Sequence, residues 1–381
     1  MPPVYLDYNA TSPVDPRAAA EMKPFFTGMF GNPSSVHSHG RDARAAVDLA
    51  RERVARFLGA PPSGIFFTSG GSEGNNFAVK GAALLRPGRR HVVTTAVEHS
   101  SCRESFEFLE RAGFRLTRLP VDKSGLPDLA ALEDCVSDET ALVSCMHANN
   151  ETGVIMPIER AGEIAARFGA LFHTDITQSA GRIPVDLSRL PVDLATVSSH
   201  KLCGPKGAGA VFVKKGVSPE PLIHGGGQER GKRSGTENTA AIAGFGMACE
   251  IAADEFHADM ERAAALRDDF ERFVLTEIKG SWVNGAAAPR VANTSNFAVD
   301  GADGESLVIA LDIEGVCVSN GSACSEGNVD PSAVLLAMGL SESRVRSSLR
   351  VSMGRFTTAS DVETLKKALR KVLQTAKDAR V

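Results

Sequence analysis

The sequence predicts an α/β protein: a large domain with a mostly parallel sheet flanked by helices, joined to a smaller α+β domain. Its 381 residues are more than one core usually fills, so two packed units are expected. From about residue 60 to 215, short apolar, β-branched runs alternate with helical segments, the pattern of a doubly wound domain. Beyond residue 280 the texture changes to a few strands and helices, with no internal repeat or low-complexity linker. The expected division is 15–256 for the large domain, and 1–14 with 257–381 for the small one.

The strands of the large domain are apolar runs bounded by turn residues: "GIFFTS" (64–69), "HVVTTA" (91–96), "ALVSCMHA" (141–148), "ALFHTD" (170–175), "DLATVSS" (193–199) and "GAGAVFVKK" (207–215). Between them, "EGNNFAVKGAALL" (73–85), "SCRESFEFLERAG" (101–113) and "IERAGEIAARFG" (158–169) have helical spacing. A long helical region follows at 240–280. The small unit then reads as strand "ANTSNFAV" (292–299), helix "ESLVIALDIEG" (305–315), and strands "VCVSN" (316–320) and "LRVSMG" (349–354). A charged amphipathic helix at 361–379 closes it.

Composition narrows the partners. Forty-two Lys and Arg against 46 Asp and Glu leave a net charge of -4, with no block of like charge, which argues against nucleic acid or an anionic membrane as the main partner. The start lacks a basic segment followed by an apolar run, and no window approaches membrane-spanning length, so a cytoplasmic location is the default expectation. The seven cysteines are odd in number and contain no C-x-x-C pair, which fits reduced thiols better than disulfides or a zinc site. Most are expected in the core, Cys145 and Cys317 most plainly. Cys324 differs, because "SNGSACSEGNVDPS" (319–332) surrounds it with small, polar and turn-forming residues.

In a doubly wound sheet, ligands sit where the strands end. "FTSGGSEGNN" (67–76) leaves a strand and opens a helix, so Gly70, Gly71 and Ser72 offer an anion a close backbone approach, a hydroxyl and a helix N-terminus. No G-K-[ST] follows, so this is not a nucleoside triphosphate loop. "HTDITQSAG" (173–181) ends a strand on Asp175, and "SSHKLCGPKG" (198–207) ends the next on Lys201. Taken singly these are a glycine turn, a helix cap and a surface charge. Together they supply three parts that pyridoxal phosphate requires: a helix terminus for the phosphate, an acid for the pyridine nitrogen and a lysine for the Schiff base.

With "YLDYNATSPV" (5–14), "GNPSSVHSHG" (31–40), "EHSS" (98–101), "HANNETGVI" (147–155), "GGGQERGKRSGTEN" (225–238), "NGSACS" (320–325) and "LRVSMGRFTT" (349–358), these segments run nearly end to end. In that order they resemble the fold-type I pyridoxal phosphate enzymes of the class V aminotransferase superfamily, and specifically the NifS/IscS-type cysteine desulfurases. The resemblance implies pyridoxal 5'-phosphate as cofactor, L-cysteine as substrate and a homodimer with shared sites. Lys201 matches the Schiff-base lysine, Asp175 the partner of the pyridine nitrogen, and His99 the histidine that stacks on the ring and moves protons. Gln178 and Asn150 match residues near the ring oxygen, and Gly71, Ser72, Ser198 and His200 match phosphate ligands. Thr236 matches a threonine reaching the phosphate of the neighbouring subunit. Arg350, with Asn150, matches the binder of the substrate carboxylate.

Cys324 matches the nucleophile that takes sulfur as a persulfide, releasing alanine and passing the sulfur to an acceptor or an iron-sulfur scaffold protein. A metal role extends no further than Cys324 as a transient iron-sulfur ligand. Two departures stand out: Ser72 replaces a frequent threonine and keeps the hydroxyl, while Gly74 replaces a frequent serine. A selenocysteine lyase or a small-substrate aminotransferase would use Lys201, Asp175 and Arg350 equally well, and Cys324 is the residue that discriminates.

Overall fold

In the computed structural model, residues 3–320 and 331–378 are described. Strand β1 (Val4–Tyr5) is followed by helices α1 (Pro16–Met22) and α2 (Ser38–Phe57). The large unit then alternates β2 (Ile65–Thr68), α3 (Gly71–Leu84), β3 (His91–Thr95), α4 (Ser100–Arg111), β4 (Arg115–Leu119), α5 (Leu129–Cys135), β5 (Thr140–Ser144), α6 (Ile158–Arg167), β6 (Leu171–Asp175), β7 (Leu194–Ser198) and β8 (Gly209–Val213). Helix α7 (Thr239–Glu277) leads to β9 (Ser281–Val283), β10 (Thr294–Val299), α8 (Gly304–Ile313), β11 (Val316–Cys317), α9 (Ala333–Ala337), α10 (Glu342–Arg346), β12 (Ser348–Ser352) and α11 (Ala359–Asp378).

The seven-stranded sheet has the order β2-β8-β7-β6-β5-β3-β4. Only β8 runs antiparallel to its neighbours, β2 and β7; the other pairs are parallel. Each parallel step needs a crossover, whereas β8 follows β7 through a short turn and therefore returns beside it. Sheet residues alternate between two apolar layers, which explains their continuous apolar runs. Val93, Val143, Phe172 and Val197 pack in one layer with Val47, Val54 and Ile164 of α2 and α6. Val92, Leu142, Leu171 and Leu194 pack in the other with Phe77 of α3 and with Phe106 and Leu109 of α4.

A second core joins Phe297, Leu349 and Val351 of the three-stranded sheet β12-β10-β9 to Leu307, Leu365 and Leu369 of α8 and α11. Leu6 belongs to it, because β1 pairs with β11. Helix α7 enters both cores, with Phe245 in the first and Phe270 in the second, so residues 256 and 257 lie inside one continuous helix.

Strand β4 and helix α2 were not expected. Strand β4 is an edge strand in which Arg115 and Arg118 are exposed, so its sequence lacks an apolar run. Cys317 corrects its core expectation: it is only half-buried on the two-residue β11, and its thiol donates to Asp312 (3.6 Å), whereas Cys102, Cys145, Cys203 and Cys249 are buried.

Candidate active site

The strand ends converge on a cavity of about 360 Å³. Asp175 ends β6, Ser198 ends β7, and Lys201 lies in the turn that β7 enters. Gly71 and Ser72 open α3, and His99 caps the N-terminus of α4. These residues line the cavity together with Gln178, His200 and Asn150, so nine of the predicted positions meet in one place.

Lys201 Nζ donates to the carbonyls of Asn9 (2.6 Å) and Ala10 (2.5 Å), which hold the amine at the wall. Asp175 is 5% exposed and forms no ion pair among the described residues. Its Oδ1 accepts from the Thr177 N–H (2.9 Å) and its Oδ2 from Asn75 Nδ2 (2.7 Å), so the carboxylate is oriented by donors but not neutralised. His99 Nδ1 accepts from the Ser101 N–H (3.2 Å) and lies 2.8 Å from Ser101 Oγ; an accepting Nδ1 puts the proton of the neutral ring on Nε2. His200 is pushed down to about 3 by burial and then by the charges of Lys201, Lys206 and Arg182, so its imidazole is neutral.

The phosphate end of pyridoxal phosphate fits the turn before α3. Gly70 takes φ +155, and a Cβ on Gly209 would lie 2.8 Å from the Gly70 Cα, so both positions require glycine. Helix α3 begins on the cavity at Gly71 and Ser72, where its first N–H groups are free of intrahelical partners, and the buried hydroxyl of Thr177 has no partner among the described residues. Gly74 has a packing reason: its Cβ would lie 2.7 Å from Thr196 Cγ2, because α3 rests directly on β7.

Of the other three predicted residues, two stand elsewhere. Arg350 does not line the cavity; it is 2% exposed, its Nη2 pairs with Asp7 (2.6 Å), its Nη1 donates to the Asn150 carbonyl (3.1 Å), and its buried Nε has no partner among the described residues. Thr236 lines a separate hollow of about 150 Å³ with Phe67 and Arg233. Cys324 lies outside the described residues. The chain on either side is anchored: Ser319 exchanges backbone bonds with Arg350, and Ser332 Oγ donates to Glu151 (2.5 Å).

Sequence reasoning missed Asn75, Thr177, Asp7 and the Asn9 and Ala10 carbonyls. Asn75 and Thr177 stand inside the quoted motifs but come together only across α3, β6 and the turn after it. The Asp7 and Asn9 contacts cross more than 140 residues of sequence.

Residues 4–365 match the family model described as aminotransferase class-V. A protein of Dictyoglomus turgidum named cysteine desulfurase IscS is 44% identical over 372 residues, covering 97% of this chain and 94% of that one. Among solved structures, a NifS-like protein superposes with a TM-score of 0.92 at 36% identity, covering 98% of this chain and all of that one. A structure described as SspA in complex with cysteine superposes with a TM-score of 0.82 at 35% identity, covering 93% and 99% of the two chains. The chain belongs to the class-V aminotransferase family and, within it, to the NifS/IscS-type cysteine desulfurases.

Proposed function

We propose that this enzyme binds pyridoxal 5'-phosphate in the 360 Å³ cavity and converts L-cysteine to L-alanine, taking the sulfur as a persulfide on Cys324. The observation that carries this reading is the meeting of the Lys201 amine, the un-neutralised Asp175 carboxylate and the α3 terminus on one cavity, in a chain of the desulfurase family. SspA, a structural relative, is described as holding cysteine itself.

When bound, the cofactor supplies an electron sink for the substrate carbon that carries the amino group. Asp175, held by Asn75 and the Thr177 N–H, would pair with the pyridine nitrogen and keep it protonated. Gly71, Ser72, Ser198, the neutral His200 and the Thr177 hydroxyl would hold the phosphate, while Gln178 and Asn150 would serve the ring's oxygen side. Lys201 Nζ takes and returns protons, and His99 Nε2 is the second proton carrier. Arg350, oriented by Asp7 and set behind the cavity wall against the carbonyl of the lining residue Asn150, would take the α-carboxylate. Cys324 attacks the substrate sulfur: an S–S bond forms, the C–S bond breaks, and a proton completes alanine.

The working unit is a homodimer in which Thr236 completes the partner's phosphate site. Its position outside its own chain's cavity supports this, as do Phe26, Phe30 and Val36, which are 65%, 68% and 89% exposed in one segment near the N-terminus. The same reading divides the chain into a cofactor domain, 15–256, and a smaller domain, 1–14 with 257–381, that carries Cys324. The sulfur goes to an acceptor or iron-sulfur scaffold protein in the cytoplasm; no helix among the described residues is long and apolar enough to cross a membrane.

Mass spectrometry of the holoenzyme after cysteine addition tests the reading. One extra sulfur on the Cys324 peptide, with one alanine released per site, is expected. Unchanged turnover by a Cys324→Ala variant would remove the persulfide role.

A further inference from the structure

Arg182 is 7% exposed, yet no carboxylate lies within ion-pair distance of it among the described residues. Its Nη1 donates to the Gln178 carbonyl (3.1 Å) and to the Gln178 side-chain oxygen Oε1. A guanidinium only donates, so the Gln178 amide has one orientation: oxygen toward Arg182, nitrogen away from it. Nε2 accordingly donates to the Asn9 carbonyl (3.0 Å), which leaves its second N–H for the cavity that Gln178 lines.

No described residue cancels the charge. Arg350 on β12 is a second cation and is taken by Asp7. Asp259 and Arg355, across a hollow of about 50 Å³ that Cys203 and Lys201 also line, pair with each other (2.9 Å). Asp175 bonds Asn75 and the Thr177 N–H. Burial lowers Arg182 to about 9, still above neutral pH, so the guanidinium stays charged, and its field reaches the cavity wall, where it helps push His200 down.

We propose that Arg182 is a positioning residue that locks the Gln178 amide with only its N–H turned toward the cavity and, as an unneutralised buried cation, makes that donor favour the ionised ring oxygen of the cofactor. The inference rests on the proposed reading that pyridoxal phosphate fills this cavity. A buried cation on the ring-oxygen side disfavours the protonated, positive form of the Lys201–cofactor linkage, so its removal makes the proton leave at higher pH.

The test is a pH titration of the visible cofactor band in the holoenzyme, which a merely structural role would not move. Arg182→Gln is expected to raise the midpoint by about one pH unit, and Arg182→Lys, which keeps the charge, to hold it within about 0.3 unit of wild type. A wild-type midpoint in Arg182→Gln, or an equal rise in Arg182→Lys, overturns the proposal. Should Arg182→Gln not fold, Gln178→Met, which loses the donor and keeps the guanidinium, must raise the midpoint; a wild-type value there overturns it too. A wild-type protein that binds no coloured cofactor sinks the proposed function instead, which separates the two failures.

Discussion

Arg350 heads the fully buried large side chains, and one carboxylate, Asp7, balances its charge. Removing one partner of a buried ion pair strands the other, which typically costs 3–5 kcal/mol. Asp7 is somewhat open to solvent, so Asp7→Asn is expected to lower the unfolding free energy by about 3 kcal/mol in denaturant titration. Because the guanidinium also loses its orienting partner, KM for cysteine should rise about tenfold while kcat changes less, as for a weakened charged hydrogen bond. An unchanged KM would mean that Asp7 only stabilises the fold. The Arg350 motif is legible in sequence, but its partner is not: Asp7 lies 343 positions away and joins it only because a bridge sets Asp7 beside Ser352.

At the scale of elements, the approach of α3 to the sheet decides how the glycine turn before α3 is built. Glycine is a poor helix residue, yet Gly74 sits in the first turn of α3, where a Cβ would meet Thr196 Cγ2 at 2.7 Å and Val211 Cγ2 at 3.1 Å. Gly74→Ser is therefore expected to destabilise the protein by about 1–3 kcal/mol and to weaken cofactor binding, measured by thermal melting and equilibrium dialysis. Adding Thr196→Ser removes the offending methyl and keeps the hydroxyl that meets His173 Nε2 (3.1 Å), so the double variant should recover most of the loss. If Gly74→Ser alone melts like wild type, the contact is not limiting. The periodicity of α3 and β7 can be read along the chain, whereas their separation depends on side chains of both.

For the whole molecule, stability is drawn in two directions by pH. Burial raises Glu98 and Glu151 from 4.5 to about 7, so the folded state holds their protons more tightly than the unfolded chain does. Their contribution is fully present below about 4.5 and is lost as pH rises through 7. His147 and His173 are lowered from 6.5 to about 4 by burial, so their contribution is present above about 6.5 and is lost as pH falls toward 4. Glu98→Gln should therefore gain stability relative to wild type by up to about 3 kcal/mol between pH 5 and pH 8, followed by denaturant titration at each pH. A constant difference across that range would remove the buried charge as the cause. The proposed sharing of the site makes a second prediction at this scale. If Thr236 acts in the partner, exchanging subunits between inactive Lys201→Ala and Thr236→Asp dimers rebuilds one intact site per mixed dimer, returning about a quarter of wild-type activity. No recovery would place Thr236 in its own subunit or nowhere near the site.

By itself the sequence determined the alternation of strands and helices, the glycine turn before α3, and Lys201 and Asp175 at strand ends, because strand periodicity and turn chemistry are local properties of the chain. The nine cavity residues lie at the carboxyl ends of strands or beside them for the same reason. The polar edge strand β4 escaped that logic, since an edge needs no continuous apolar run. Only the tertiary structure decided that Asp7 balances Arg350, that Asn75 and Thr177 orient Asp175, that Arg182 turns the Gln178 amide, and that Thr236 stands apart from its own cavity. Those contacts pair polar groups in space, where burial removes competing water and leaves each donor and acceptor dependent on the partner that packing supplies.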